Sequence, residues 1–234
     1  MDTKGETTGG QEADGGHPQV TVDVVIFTLR ENDLQVPLVR RGRQAQEEKW
    51  SIPGGGIKPA EALEAAALRV LEEETGLGDV YLEQLYTFGQ PERVPGRRAI
   101  SVTYFALVPA AEVVPCRDRD AQNVCWWSIY ALPPLAFDHA AVLGYALTRL
   151  RYKLEYTAVG FELLPESFTL SELQKVYEVI LGESLDKRNF RRKILAAGII
   201  ETSGDYRTGE GRPARLYRYR EDAVAEVKAR RLFP

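Results

Sequence analysis

The sequence predicts an α+β fold in two parts: a strand-rich first part organised around one glycine-led helix, then a helix pair closed by a β-hairpin. Three observations carry this. The stretch PGGGIKPAEALEAAALRVLEEETGL, Pro53 to Leu77, runs from three glycines into a helix and ends in three glutamates and a glycine. Runs rich in β-branched residues flank it on both sides, as strands do. Beyond residue 136 the apolar residues recur three and four apart, the spacing of amphipathic helices.

At 234 residues the chain has room for two small domains. Its 44% hydrophobic and 27% charged content is that of a soluble globular protein, expected in the cytoplasm. No apolar run is long enough to cross a membrane, and the N-terminus lacks the apolar core of a signal peptide. The two cysteines, Cys116 and Cys125, lack CxxC spacing and read as reduced thiols. Charge is uneven. From residue 136 onward there are 17 Lys and Arg against 14 Asp and Glu; before it, 13 against 20. The basic excess is concentrated in one helix.

Residues 1–18 are rich in Gly, Thr and acidic side chains and read as a disordered tail, with His17 solvated in it. The first domain spans residues 19–136. It opens with a strand from Val20 to Leu29, a turn at Glu31-Asn32-Asp33, and a second strand from Leu34 to Val39. Arg40, Arg41 and Arg43 follow in a polar loop, either solvated or meeting an anionic ligand. Lys58-Pro59-Ala60 begins the helix, because proline fits a first turn, and Gly76 stops it. Strands run from Val80 to Phe88 and from Ile100 to Val108. Between them a Pro/Gly loop carries Arg93, Arg97 and Arg98; Arg93 and Arg98 are either solvated or ligand-binding. Val124 to Ser128 is a further strand, its tryptophan pair in the core.

A linking helix, residues 137–154, is capped by Asp138. Ala140, Leu143, Ala146, Leu147 and Leu150 form its apolar stripe, and His139 reads as a structural first-turn residue. The second domain spans residues 155–234. Thr169 and Glu172 make a capping box for a helix ending at Gly182. A second helix, starting near Leu185, ends before Gly198, with Phe190, Ile194 and Leu195 on its buried side. Ile199 to Thr202 and Leu216 to Tyr219 form a hairpin around GEGRPAR. Helix, short turn, helix, hairpin is the order of a winged helix-turn-helix. The second helix carries Lys187, Arg188, Arg191 and Arg192 largely away from its buried side. Such a basic face suits docking in a major groove. Phosphate contacts supply affinity, while Arg188 or Asn189 can read base edges. On the hairpin, Arg207, Arg212 and Arg215 are placed for phosphate or the minor groove.

Residues three and four apart share a helix face, so Val70, Glu73 and Glu74 lie together, with Glu61 near the helix start. Carboxylates so clustered need a cation or a base; Mg²⁺ would suit them, and glycine backbone can approach a phosphate. Here the chain resembles the Nudix family. Its signature is Gly, five residues, Glu, seven residues, then Arg-Glu-apolar-x-Glu-Glu-x-Gly-apolar. Gly55, Glu61, Arg69, Leu71, Glu73, Glu74, Gly76 and Leu77 match it, eight of nine defined positions over 23 residues. Val70 departs, standing where that family has a metal-binding glutamate. The resemblance implies an α/β/α sandwich that binds a pyrophosphate-containing ligand. The departure implies weak or absent hydrolysis, with Mg²⁺ held at most by Glu73 and Glu74 and no cofactor required.

A damaged signature followed by a basic helix and a GRPARLYRY wing resembles the Nudix-related transcriptional regulators (NrtR). That resemblance implies a homodimeric repressor on a palindromic operator in double-stranded DNA. It implies an effector, ADP-ribose or a related phosphorylated sugar, at Arg40, Gly55, Gly56, Glu73, Glu74, Arg93 and Arg98, and control of NAD metabolism genes. Other readings stay open here: an ADP-ribose pyrophosphatase with an accessory domain, a regulator of pentose catabolism, or a module whose basic helix docks an acidic protein.

Overall fold

The computed structural model describes residues 17–41, 49–78, 80–113, 124–208, 213–220 and 223. Residues 1–16 of the expected tail, Arg43, Cys116 and Arg212 lie outside them.

The first half is a mixed sheet. β1 (Gln19–Arg30) turns back into β2 (Asp33–Arg41), which pairs with β3 (Lys49–Ser51). Glu31 and Asn32 take positive φ in the tight turn between β1 and β2. Arg40 and Arg41 belong to β2 and not to a loop, since the strand continues to pair with Trp50 and Lys49. β4 (Gly54–Gly56) pairs with β1, followed by α1 (Leu63–Thr75), β5 (Tyr81–Phe88), β6 (Ala99–Val108) and β7 (Val124–Ser128). The sheet order is β3-β2-β1-β6-β5, with β7 beside β2; β1 and β6 run parallel and the other pairs antiparallel. α1 starts later than its proline implied, with Ala62 at the cap, because residues 58–61 form a turn closed by Glu61 N–H to Lys58 O.

Alternation along β1 loads both faces of this sheet. Val22, Val24 and Ile26 meet Ala66, Ala67, Val70 and Leu71 of α1 on one side. Val25 and Phe27 meet Val142, Leu143 and Ala146 of α2 (His139–Tyr156) on the other. The result is the expected α/β/α sandwich. Ala140 is exposed and Val142 takes its place in the stripe. Cys125 is disulfide-bonded, which corrects the expectation of reduced thiols. Sequence spacing tests for redox motifs and metal sites but not for which sulfurs meet in space.

The second half contains α3 (Leu170–Leu181), α4 (Lys187–Ala197), β9 (Ile200–Arg207) and β10 (Ala214–Tyr219), with β8 (Phe168–Thr169) completing a three-stranded sheet of order β8-β10-β9. The capping box forms as expected: Thr169 and Glu172 exchange side-chain and backbone bonds. Gly182 and Gly198 close the two helices in left-handed conformations. The hydrophobic core is continuous between the halves. Leu150 and Leu154 of α2 belong to the same cluster as Val176, Tyr177 and Ile180 of α3 and Phe190 of α4. α2 therefore serves two cores at once, its first turns in the sandwich and its last in the winged helix.

Candidate ligand cleft and nucleic-acid interface

A cavity of about 220 Å³ opens where β1, the glycine strand β4, the loop after β5 and the start of α2 converge. Its floor is set by glycine. A Cβ on Gly54 would sit 2.2 Å from Asp23 Oδ1, so only glycine lets β4 lie against β1 here. Asp23 is a carboxylate within an apolar strand and is almost fully buried. It survives there because Ser101 Oγ donates to it at 2.6 Å and Arg93 Nη2 at 3.3 Å.

Arg93 is the central cation of the cleft. It is 6% exposed, so the solvated reading of this residue is wrong. Its Nε and Nη2 donate to the two oxygens of Asp138, each at 3.0 Å, a bidentate fork. Asp138 consequently makes no side-chain cap bond to α2; its carboxylate serves Arg93. His139 is 2% exposed, and its Nδ1 accepts the Ile52 N–H at 3.0 Å, leaving the ring proton on Nε2. That is the structural role expected of it, yet the residue also lines the cleft. Phe137, another wall residue, adopts φ of 56°. A bulky side chain held in the left-handed region is strained backbone of the kind that gathers at ligand sites.

Of the candidate ligand residues, Gly55, Gly56 and Arg93 line this cleft; Arg40, Glu73, Glu74 and Arg98 do not. Residues with no such role in the sequence reading do line it: Gln19, Thr21, Asp23, Arg97 and Phe137. Arg97 Nη1 reaches Gln19 Oε1 at 3.0 Å on the exposed rim.

The signature helix stands beside the cleft. Its clustered carboxylates are satisfied by a base. Arg69 donates to Glu61 through Nε at 2.6 Å and Nη2 at 2.9 Å, to Glu73 through Nη1 at 3.0 Å, and to Gly56 O at 3.0 Å. These bonds, with the Lys58 N–H, hold the Glu61 carboxyl down at about 2. Val70 is 2% exposed and faces the apolar core. The residues present do not fit a Mg²⁺ site: one position is apolar, two carboxylates are held by Arg69, and among the described residues no three His, Cys, Asp or Glu side chains are grouped to hold a metal.

At the other end, Asp186 caps α4 by accepting the Asn189 N–H at 2.8 Å. Phe190 and Ile194 are buried, but Leu195 is 50% exposed, against expectation. It follows Ile194 by about 100° and so points past the buried side. Lys187, Arg188 and Arg192 are exposed, and Arg192 Nη2 bonds Asn189 Oδ1 at 2.8 Å. Arg191 turns partly inward, its Nη2 reaching Ser171 Oγ at 3.3 Å. On the wing, Arg207 is tied back to Glu172 and to Ser167 O, whereas Arg215 is exposed beside the Tyr206 ring. Lys187, Arg188 and Arg192 are thus the exposed cations of α4, and Arg215 is exposed on the hairpin.

A sandwich with an anion-suited cleft, sharing one core with a winged helix whose second helix is basic outside, defines a class: DNA-binding regulators that carry a sensor domain. Residues 17–147 match the NUDIX domain family, and residues 160–219 match the NrtR DNA-binding winged helix domain. The chain belongs to the NrtR family of Nudix-related regulators. It is 37% identical, over 89% of its length and 85% of the relative's, to the ADPR responsive transcriptional repressor NtrR of Acinetobacter baylyi. It superposes on Shewanella oneidensis NrtR in complex with a 27mer DNA with a TM-score of 0.80, at 36% identity, covering 92% of this chain and 99% of that one. The NUDIX domain of the same Shewanella protein, in complex with ADP ribose, matches with a TM-score of 0.50 at 34% identity, over 57% of this chain and 89% of that domain. No helix among the described residues is long and apolar enough to cross a membrane.

Proposed function

We propose that this chain is an ADP-ribose-responsive transcriptional repressor, acting in the cytoplasm as a homodimer on a palindromic operator of NAD metabolism genes. One observation carries the reading furthest: the cleft and the DNA-reading helix are joined through a single helix that packs in both cores. The relative from Acinetobacter and the Shewanella complexes with DNA and with ADP ribose supply the two ligands. α4 enters the major groove, where Arg188 is placed for guanine and the other cations for phosphate. ADP-ribose binds at Arg93, Gly55 and Gly56, and it is held without being cut. A sensor needs this, because hydrolysis would erase the signal.

For ADP-ribose to act as a switch it must bind the DNA-free arrangement better than the operator-bound one. The test is a fluorescence-anisotropy titration at physiological salt. The DNA comes from upstream of the chain's own operon and of NAD metabolism genes, with and without ADP-ribose. Selective binding that ADP-ribose weakens is the expected result. Absence of selective binding, with AMP released from ADP-ribose in Mg²⁺, would replace the repressor by a hydrolase.

A further inference from the structure

We propose that Arg93 is the sensing residue, and that it reports ligand to the DNA-reading helix by exchanging Asp138 for an anionic group of the ligand. This rests on the sensor-repressor reading and specifies how its two sites communicate.

Arg93 is buried, lines the cleft, and is shared by two carboxylates on different elements. Asp23 lies on β1, in the rigid centre of the sheet. Asp138 lies at the first turn of α2. Among the described residues the Nη1 group of Arg93 makes no hydrogen bond, so the guanidinium retains donors for an incoming anion. Planar guanidinium forks suit phosphate as well as they suit carboxylate. A diphosphate in this cleft brings negative charge beside Asp138 and competes with it for one cation. The carboxylate that loses the fork is then a charge at the edge of a closed site, and it is free to leave. Asp138 is the cap residue of α2, so a backbone shift there moves the start of that helix with it.

The other end of that helix is fixed to the reader. Arg151 Nε donates to Ile180 O, at the end of α3, at 2.8 Å. Leu150 and Leu154 pack with Val176 and Tyr177, and the Tyr177 ring meets Phe190 of α4 edge-on at 5.5 Å. A helix packed in both cores moves as a rod, so a shift at Asp138 is delivered to α4 and changes where it lies on the operator. In the DNA-bound arrangement the Arg93–Asp138 pair is closed; with ligand it is open. Asp138 is a positioning residue in this scheme and acts through Arg93 and α2, not by contact with DNA.

The test uses the full chain and a duplex from upstream of its own operon that the wild-type protein binds. Operator affinity is measured by anisotropy with and without saturating ADP-ribose, and ADP-ribose affinity by calorimetry without DNA. The wild-type ratio of operator affinities should fall within the roughly 5- to 150-fold range of such couplings. In Asp138→Asn the ratio should collapse toward one while ADP-ribose binds several-fold tighter, because Arg93 is no longer held. Asp138→Glu, which keeps the charge, should retain a ratio well above one, a rescue that a merely structural role would not predict. If Asp138→Asn fails to fold by circular dichroism, Arg93→Lys takes its place: lysine cannot hold the fork, and the ratio should fall with it. A wild-type ratio in either variant overturns the inference and leaves the repressor standing. A wild-type protein indifferent to ADP-ribose overturns the reading on which the inference rests.

Discussion

Val70 lies directly beneath Gly55: a Cβ built on that glycine would come within 3.2 Å of Val70 Cγ2. The side chain that replaces a metal-binding glutamate thus supports the glycine strand from below and belongs to the core of α1. Val70→Glu would put a carboxylate among Val22, Val24 and Leu71. Burying such a group without a partner costs about 1–3 kcal/mol, and more if it is charged. Burial raises its pKa, so the cost is small while the group is protonated and grows as pH rises above the ordinary carboxylate value. Urea unfolding should show a larger deficit at pH 8 than at pH 5. AMP release with Mg²⁺ should not rise, since Glu61 and Glu73 remain bound to Arg69.

Arg69 bonds two carboxylates of the acidic cluster, Glu61 and Glu73, and this gives a pH signature. The Glu61 carboxyl is held down at about 2, first by its bonds from Arg69 and then by the Lys58 N–H. A depressed folded-state pKa contributes stability that is complete above the unfolded value, near 4.3, and is lost as pH falls toward 2. Glu61→Gln should therefore be less stable than wild type at pH 7, with the gap closing between pH 4.5 and pH 2. Parallel denaturant titrations of the two proteins across that window check it. A gap independent of pH would mean that packing and not charge holds this corner.

Much of this was legible beforehand. The β-branched content of VTVDVVIFTL located β1, and Thr169, Glu172, Gly182 and Gly198 marked the helix ends, because these signals are local. The cleft was only partly legible. Gly55, Gly56 and Arg93 are separated by some forty residues and meet only through the parallel pairing of β1 with β6 and the return of α2. Asp23 is the single charge in an otherwise apolar strand run, and a carboxylate there demands a buried partner. Arg93 could not be named as that partner without the fold. Asp138 shares this cause: its type favours a side-chain cap, and tertiary pairing with Arg93 overrides that preference.

On α4, Arg188 and Lys187 should fail in different ways. Arg188 is exposed on the outer face. Arg188→Ala should cost about 1–3 kcal/mol on the preferred operator and relax discrimination at one base pair. Lys187, at the first position of the helix, is suited to phosphate. Lys187→Ala should weaken all duplexes alike and lower the slope of log affinity against log salt by about one. Anisotropy titrations at several salt concentrations, on matched and base-substituted duplexes, separate the two. Equal losses on every duplex for both variants would place α4 on the backbone alone.

Glu172 is divided between the cap and the wing. Its Oε2 accepts the Thr169 N–H at 2.8 Å, closing the capping box, while its Oε1 is paired with Arg207 on β9. The two bonds differ in worth. A partly exposed ion pair contributes at most about 1 kcal/mol, and a cap about the same but with no dependence on salt. Glu172→Gln keeps an acceptor for Thr169 and removes the charge that detains Arg207. It should change stability by no more than about 0.5 kcal/mol, and that small loss should vanish in high salt. It should also tighten DNA binding, since Arg207 is released beside a wing that already presents Arg215. Glu172→Ala loses both bonds and should cost about 1–2 kcal/mol at low salt, with only the cap's share of that loss remaining in high salt. Urea melts at low and high salt, with anisotropy on the same samples, decide the point. If Glu172→Gln leaves DNA affinity unchanged, the wing arginine reaches no phosphate and serves only to hold β9 against α3.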